Sequence, residues 1–106
     1  QYIEPFGLAV VEAMACGTPV VAFDATGLRD IVDHQQNGYL ARPFDTEDLA
    51  YGIRWVLENE KRLQRLSRNA RQKAVQEFSQ ELQAYRYLDL YEDILYRRSS
   101  AMSKAK

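Results

Sequence analysis

Two glutamates bracket the most apolar stretch of this sequence, EPFGLAVVEAMACGTPVV, which runs from residue 4 to residue 21. Glu4 opens the stretch, and Glu12 is the one charged side chain between Pro5 and Gly17. Burying an unpaired carboxylate costs several kcal/mol. Glu12 must therefore reach solvent or face a cavity that contains hydrogen-bond donors.

Residues 6–16 are predicted to form a helix, which places Glu4 just before its N-terminus. The positive end of a helix dipole favours an anion there. The N–H groups of Gly7 and Leu8 lack a partner inside the helix and can bind a phosphate or hydroxyl oxygen. The two oxygens of the Glu12 carboxylate match a pair of vicinal hydroxyls. The residues thus favour a ligand with phosphates and hydroxyls, and they leave open that Glu4 is a plain helix-start acid and Glu12 an exposed side chain.

Turn-forming residues divide the chain into two parts. Residues 4–45 contain all three prolines and four of the five glycines, whereas residues 46–98 contain only Gly52. This contrast predicts an α/β segment followed by helices.

Two short strands are predicted in the first part. The run 19–23 is uniformly apolar, which is typical of a strand buried on both faces of a parallel sheet. Residues 39–41 follow an Asn-Gly turn and predict the second strand, and residues 28–32 predict a short helix between the two strands.

Three further helices are predicted beyond Asp45, which suits the N-cap of the first. The second has a basic side, interpreted as a solvated face, and the third has an aromatic stripe that is typical of a core or docking surface. The basic side consists of Lys61, Arg62, Arg65, Arg68, Arg71 and Lys73, and the stripe consists of Leu82, Tyr85, Leu88, Tyr91 and Ile94 or Leu95. The basic residues from Arg97 onward predict a frayed tail.

Composition sets limits on the function. The 106 residues are 46% hydrophobic and 27% charged, as in a globular protein, and the net charge of −1 gives no reason to expect nucleic acid as a partner. The single Cys16 excludes an internal disulfide and favours a cytoplasmic location. The chain opens on Gln1 without a methionine, and parallel strands such as the two predicted here normally have further strands beside them. We therefore expect the chain to be a fragment of a longer protein.

The stretches 4–8 (EPFGL) and 12–22 (EAMACGTPVVA) closely resemble the glutamate-x7-glutamate motif of retaining glycosyltransferases with the GT-B architecture. The stretches 26–32 (TGLRDIV) and 37–40 (NGYL) and the helix from Asp45 also resemble that family's C-terminal, nucleotide-sugar-binding domain. The resemblance implies an α/β fold, the partial Rossmann-like C-terminal half of a GT-B fold with short parallel strands flanked by helices.

The same resemblance implies an organisation along the chain. Residues 1–60 would belong to the nucleotide-sugar-binding domain, residues 61–98 would be C-terminal helices, and residues 99–106 would be a flexible basic tail. The final helix of such enzymes commonly crosses back to brace the N-terminal domain, a role that the aromatic stripe would suit.

The resemblance also implies roles for individual residues. Glu4 would lie beside the donor sugar and contact its hydroxyls near the reacting centre, as the candidate catalytic residue. Glu12 would bind the ribose hydroxyls of the nucleotide. The backbone amides of Phe6, Gly7 and Leu8 would contact the sugar or phosphate of the donor.

The implied activity is sugar transfer from a nucleoside-diphosphate sugar to a sugar or lipid-linked acceptor, in bacterial-type polysaccharide or glycolipid synthesis. The enzyme would be a hexosyltransferase-type, retaining glycosyltransferase whose acceptor is bound by a separate N-terminal domain, and the fragment alone would be inactive. No metal and no cofactor is expected, because the sequence has no Asp-x-Asp motif. The basic tail suggests peripheral contact with the inner face of a membrane.

One feature departs from the pattern of this family. Many relatives carry two glycines and a glutamate where this chain has Thr26-Gly27 and Asp30. The lone His34 is expected in a surface turn rather than in a site. The alternative to a sugar-transferring enzyme is a non-catalytic Rossmann-like or helical interaction module that keeps the motif for packing.

Overall fold

The computed structural model describes residues 5–104, in which helices cover both faces of a short parallel sheet. In chain order the elements are α1 (Pro5–Ala15), β1 (Val20–Phe23), α2 (Thr26–Arg29), β2 (Gly38–Ala41), α3 (Thr46–Leu57), α4 (Glu60–Glu77) and α5 (Ser79–Lys104). The predicted order of helix, strand, helix, strand and three helices is confirmed.

The two strands pair in parallel, with Val20 opposite Gly38 and Phe23 opposite Ala41. Alternate side chains of a strand point to opposite faces, and the apolar residues of both strands divide accordingly between two core clusters. β1 is only half-buried along its length, because within residues 5–104 it is paired along one edge.

The first cluster lies where α1 packs against α4 and the start of α5. Ala70 and Ala74, one turn apart on α4, are fully buried and allow the helices to approach closely. Met14 is fully buried in the same cluster. The buried members are Val10, Val11, Met14, Leu28, Ile31, Val32, Ala70, Ala74, Phe78 and Leu82.

The second cluster lies between the other face of the sheet and α3. Its buried members are Tyr39, Ala41, Val56 and Leu66. Gly52 is required in the middle of α3, because a Cβ at this position would overlap the Tyr39 ring. Asp45 caps α3 as predicted, its Oδ1 accepting from the Asp48 N–H at 3.0 Å.

The ends of α1 and α2 follow from local hydrogen bonds. Gly17 adopts φ +80° after α1, as the sequence predicts for a residue at this C-terminus. The short helix α2 spans Thr26–Arg29 instead of the predicted 28–32, since the N–H groups of both Ile31 and Val32 close on the Leu28 carbonyl and the chain then turns.

The last helix is longer than the sequence suggests. A frayed tail is predicted from Arg97, and a flexible segment at 99–106, yet α5 continues to Lys104. Helix-forming residues persist beyond Arg98 without glycine or proline, so nothing in the sequence ends the helix earlier.

Candidate functional site

The candidate site is built on the first turns of α1. An α-helix leaves its first N–H groups without intrahelical partners, and because α1 begins at Pro5 these include the amides of Phe6 and Gly7, whereas Leu8 is the fourth residue of the helix. The Phe6 side chain is 60% exposed, whereas Gly7 is buried and Leu8 is half-buried. Glu4 lies outside the described residues, and its role stays a prediction.

Glu12 lies one turn after Leu8 on the same face of α1, about 6 Å further along the axis. Its side chain is 27% exposed, but Oε2 is closed to solvent and has no hydrogen-bond partner within the described part of the chain. A carboxylate oxygen left in this state lacks the hydrogen-bond donor that would offset the cost of its burial.

The charge that faces Glu12 comes from α5. The Nε of Arg86 lies 3.6 Å from Glu12 Oε2, which is ion-pair distance but too long for a good hydrogen bond. Because the Arg86 side chain is 64% exposed, the pair is weak and can be displaced. Sequence reasoning missed Arg86, since no spacing rule relates residues so far apart on two helices.

A cavity of about 250 Å³ lies between α1 and α5, lined by residues near this pair in sequence but not by Glu12 or Arg86 themselves. Its lining residues are Leu8, Tyr85, Leu88, Asp89 and Glu92. Carboxylates accept hydrogen bonds from hydroxyls and repel phosphate. The cavity therefore favours a hydroxyl-bearing group, and an anion would be placed towards the N-terminus of α1.

The predicted aromatic stripe of α5 is thus divided by the fold. Leu82 is buried in the first core cluster, Tyr85 faces the cavity, and Tyr91 and Ile94 are exposed. Periodicity could show that these residues share a helix but not which neighbour each one meets.

A second polar cluster, away from α1, joins β2 to α3. The Tyr39 hydroxyl donates to Asp48 Oδ1 at 2.7 Å, and the Arg42 N–H donates to Asp48 Oδ2 at 2.7 Å. Burial, helped by the bond to Asp48, raises the pKa of Tyr39 to about 12. The backbone N–H of Arg42, together with the Tyr39 hydroxyl, holds the pKa of Asp48 below its ordinary value of 3.8. This cluster is structural.

His34 belongs to the same region and is exposed, as predicted. Its Nδ1 accepts from the Leu40 N–H at 3.1 Å, and its ring meets the Tyr39 ring edge-on. Asp30 is the exposed C-cap residue of α2 and lies outside the α1–α5 site.

The basic side of α4 is more than a solvated face. Arg62 stacks over the Trp55 ring at 4.4 Å, and Lys73 pairs with Asp33 at 3.0 Å with only 11% of its side chain exposed. Arg65 also contacts the loop before β2, donating to the Gln35 carbonyl at 3.4 Å. Lys61, Arg68 and Arg71 are exposed as predicted.

Within residues 5–104 no group of three or more acidic, histidine or cysteine side chains is arranged to hold a metal ion. Over the same residues, no helix combines the length and apolarity needed to cross a membrane.

Comparisons of this chain with known proteins agree on one family. The family model described as glycosyl transferases group 1 matches residues 1–73. The chain is 35% identical over 95 residues to N,N'-diacetylbacillosaminyl-diphospho-undecaprenol alpha-1,3-N-acetylgalactosaminyltransferase of Campylobacter jejuni, covering 90% of this chain and 25% of that protein. It is 41% identical over 92 residues to D-inositol 3-phosphate glycosyltransferase of Saccharomonospora viridis, covering 87% of this chain and 21% of that protein.

Among solved structures, sucrose-phosphate synthase from Thermosynechococcus elongatus is similar with a TM-score of 0.59 and 36% identity. The match covers 95% of this chain and 24% of that one. The predicted fold class, part of the α/β C-terminal half of a GT-B fold, is thereby confirmed. The chain spans about a quarter of the length of the curated relatives it matches.

Proposed function

This chain belongs to the glycosyl transferases group 1 family, and from this premise we propose that it forms part of the donor site of a retaining glycosyltransferase. The donor is a nucleoside-diphosphate sugar, and the reaction moves its sugar to an acceptor bound by a separate domain. The chain contributes α1 and the α5 surface that faces it.

The state of Glu12 is the observation that carries this proposal. Its Oε2 is closed to solvent, has no hydrogen bond within residues 5–104 and is opposed only loosely by Arg86. A ribose supplies two adjacent hydroxyls that donate to a carboxylate, and such bonds to a charged acceptor are stronger than neutral ones.

The direction of α1 supports a position for the rest of the donor. With the ribose at Glu12, the diphosphate lies beside Leu8 and towards the free amides of Phe6 and Gly7, where the positive dipole end stabilises the charge that develops as the diphosphate departs. Glu4, before the start of α1, is the residue proposed to contact the sugar near the reacting centre. The proposal needs no metal ion, and transfer that is unchanged by a chelator is the corresponding test.

The acceptor and the cellular setting rest on the relatives. The names of two of them specify a lipid-linked sugar acceptor and an inositol phosphate acceptor. By analogy with the first of these relatives, we propose that this chain takes part in polysaccharide or glycolipid synthesis on the cytoplasmic side of a membrane. The basic residues near the end of α5, including Arg97 and Arg98, provide peripheral contact with anionic lipid.

Nucleotide-sugar titration of the isotope-labelled chain, followed by amide NMR, tests the donor site. We use UDP-glucose, UDP-N-acetylglucosamine, GDP-mannose and ADP-glucose, and we expect at least one to shift the amides of Phe6, Gly7 and Leu8. Replacing Glu12 with alanine should weaken that binding at least about a hundredfold, as the loss of two hydrogen bonds to a charged group, about 1.5 kcal/mol each, predicts.

Glu47→Ala is the matched control, since Glu47 is an exposed glutamate in the first turn of α3. It should leave the affinity unchanged. If none of the four donors binds, or if Glu12→Ala binds as tightly as the wild type, the donor-site proposal is wrong.

The Glu12–Arg86 pair supports one alternative, in which the motif serves packing in a non-catalytic interaction module. Glu12→Ala would then lower the free energy of unfolding by removing the contact between α1 and α5, and no nucleotide sugar would bind. Urea unfolding of the same variant separates the two functions.

A further inference from the structure

Glu12 Oε2 cannot accept a hydrogen bond from a ribose while this oxygen is closed to solvent. A neighbouring group must move first, and the Arg86 guanidinium is the charged group that the fold places beside Oε2, with Nε 3.6 Å away. Its positive charge offsets part of the cost of burying the carboxylate oxygen. A ribose at Glu12 and the Arg86 side chain therefore compete for the same oxygen.

Arg86 is held weakly enough to be exchanged for a ligand. The 3.6 Å separation from Oε2 is too long for a good hydrogen bond. Because 64% of the Arg86 side chain is exposed, water screens the ion pair, and exposed pairs of this kind contribute little to stability. Two hydrogen bonds from a ligand to the same carboxylate are stronger than this pair.

The fold also provides room for the displaced side chain. Arg86 lines a cavity of about 550 Å³ between the end of α4 and the first half of α5. Ser79, Gln80 and Gln83 line the same cavity, and their hydroxyl and amide oxygens can accept hydrogen bonds from a guanidinium. A change of the Arg86 rotamer towards this cavity frees Glu12 while the backbone of α5 stays in place.

The number of ligand hydroxyls decides whether Oε2 is needed. A ribose has two vicinal hydroxyls, and two parallel bonds to one carboxylate use both of its oxygens. Of the Glu12 oxygens, Oε2 is the one that is closed and without a hydrogen bond within residues 5–104. A 2'-deoxyribose has a single hydroxyl at this edge of the ring, so it can bond to Oε1 and leave Arg86 at Oε2.

We propose that Arg86 is an exchangeable counterion of Glu12, which a ribose with both hydroxyls displaces into the cavity between α4 and α5. As the nucleotide leaves, the guanidinium returns to Oε2 and again offsets the buried charge. This inference rests on the proposed donor site and adds the residue that opens it. Arg86 acts through Glu12, so it is a positioning residue.

The affinities of nucleoside diphosphates and their 2'-deoxy counterparts test the exchange. The probes are the pairs UDP and dUDP, GDP and dGDP, and ADP and dADP, each titrated into the full 106-residue chain and followed by amide NMR. The measured quantity is the ratio of the dissociation constant of the deoxy compound to that of the ribose compound. Base and phosphates are the same within a pair, so the attraction between Arg86 and the phosphates cancels in this ratio.

Arg86→Met keeps the length of the side chain and removes its charge. Since the ribose compound alone has to displace Arg86, this substitution should raise the ratio about two- to fivefold, which corresponds to the loss of one exposed ion pair. In a Glu12→Ala background the same substitution should leave the ratio unchanged, because no carboxylate is present to compete for.

Arg29→Met is the matched control. Arg29 and Asp24 form an ion pair away from α1 and α5, with 62% and 29% of their side chains exposed, against 64% and 27% for Arg86 and Glu12. The control should leave the ratio at its wild-type value. Circular dichroism of each variant verifies that helix content is retained.

The Nε–H signal of Arg86 in the wild-type chain gives a measurement that does not depend on a variant. The ribonucleotide that binds should shift this signal, because the guanidinium leaves the carboxylate. Its 2'-deoxy counterpart at equal saturation should leave the signal in place.

A ratio that is unchanged or lowered in Arg86→Met would overturn the exchange and leave the donor site standing. An Arg86 signal that responds alike to both members of a pair would do the same. A chain that binds neither these nucleotides nor the four nucleotide sugars would overturn the donor site itself, and this inference with it.

Discussion

At the residue scale, polar side chains in this protein act through the partner that the fold brings to them. Glu12 meets Arg86 from the last helix, while Asp48 meets the Tyr39 hydroxyl and the Arg42 amide. The two carboxylates differ in their hydrogen bonding, because both Asp48 oxygens accept hydrogen bonds and one Glu12 oxygen accepts none. The satisfied carboxylate stabilises the fold, and the unsatisfied one is the candidate for binding.

Replacing Tyr39 with phenylalanine should lower the free energy of unfolding by about 1.5 kcal/mol, the usual worth of a hydrogen bond to a charged acceptor. The measurement is urea denaturation near neutral pH. Tyr51→Phe is the control, because Tyr51 packs near the same ring at 6.0 Å but is half exposed. Equal effects of the two substitutions would show that the bond to Asp48 contributes nothing.

The lowered pKa of Asp48 leads to a prediction of how the free energy of unfolding depends on pH. Its pKa is lower in the folded chain than its ordinary value of 3.8, so the unfolded chain binds the proton more tightly. The stabilisation that ionised Asp48 contributes is fully present above pH 3.8 and is lost as the pH falls towards the pKa of Asp48 in the folded chain. Urea unfolding from about pH 5 down to about pH 3 should show a steeper loss in the wild type than in Asp48→Asn. Parallel curves for the two proteins would contradict this assignment.

At the element scale, α4 acts as a brace for the loop that leads into β2. Gln35 in that loop has a backbone φ of +63°, which is unfavourable for any residue other than glycine. Arg65 donates to the Gln35 carbonyl and Asn69 to the Gln36 carbonyl, the latter at 2.7 Å, while Lys73 pairs with Asp33. These three contacts from one helix hold the loop in this conformation.

Replacing Asn69 with alanine should release part of this loop. Hydrogen exchange of the Gln36 and Asn37 amides, both bonded to the Asp33 carbonyl, should accelerate about fivefold, which corresponds to one lost hydrogen bond. Arg68→Ala is the control on the adjacent, exposed position. Unchanged exchange in Asn69→Ala would mean that the loop keeps its conformation without α4.

At the scale of the whole molecule, the proposed donor site consists of α1 and the α5 surface that faces it. It spans about a quarter of the length of its relatives. The donor half of a reaction can bind its ligand without catalysis, because transfer also requires an oriented acceptor. In the proposed reaction, the candidate site between α1 and α5 therefore acts together with a surface that binds the acceptor.

We accordingly expect the 106-residue chain alone to transfer no sugar, even when it binds a nucleotide sugar. Release of free nucleoside diphosphate, measured with radiolabelled donor and simple sugar acceptors, should stay at the rate of the protein-free control. Turnover that disappears in Glu12→Ala would contradict this expectation and would show that these residues suffice for catalysis.

The sequence by itself determined the order of the elements and the carboxylate that needs a partner. The local backbone conformation depends on residues that are neighbours in sequence. The apolar runs therefore predict the helices and strands, and Gly17, Pro19 and Asp45 predict where they begin or end. The tertiary structure decided what no spacing reveals: that Arg86 faces Glu12, that α4 holds the loop before β2, and that the stripe of α5 is split between core, cavity and solvent. These contacts join residues distant in sequence, and they exist only once the helices pack on the sheet.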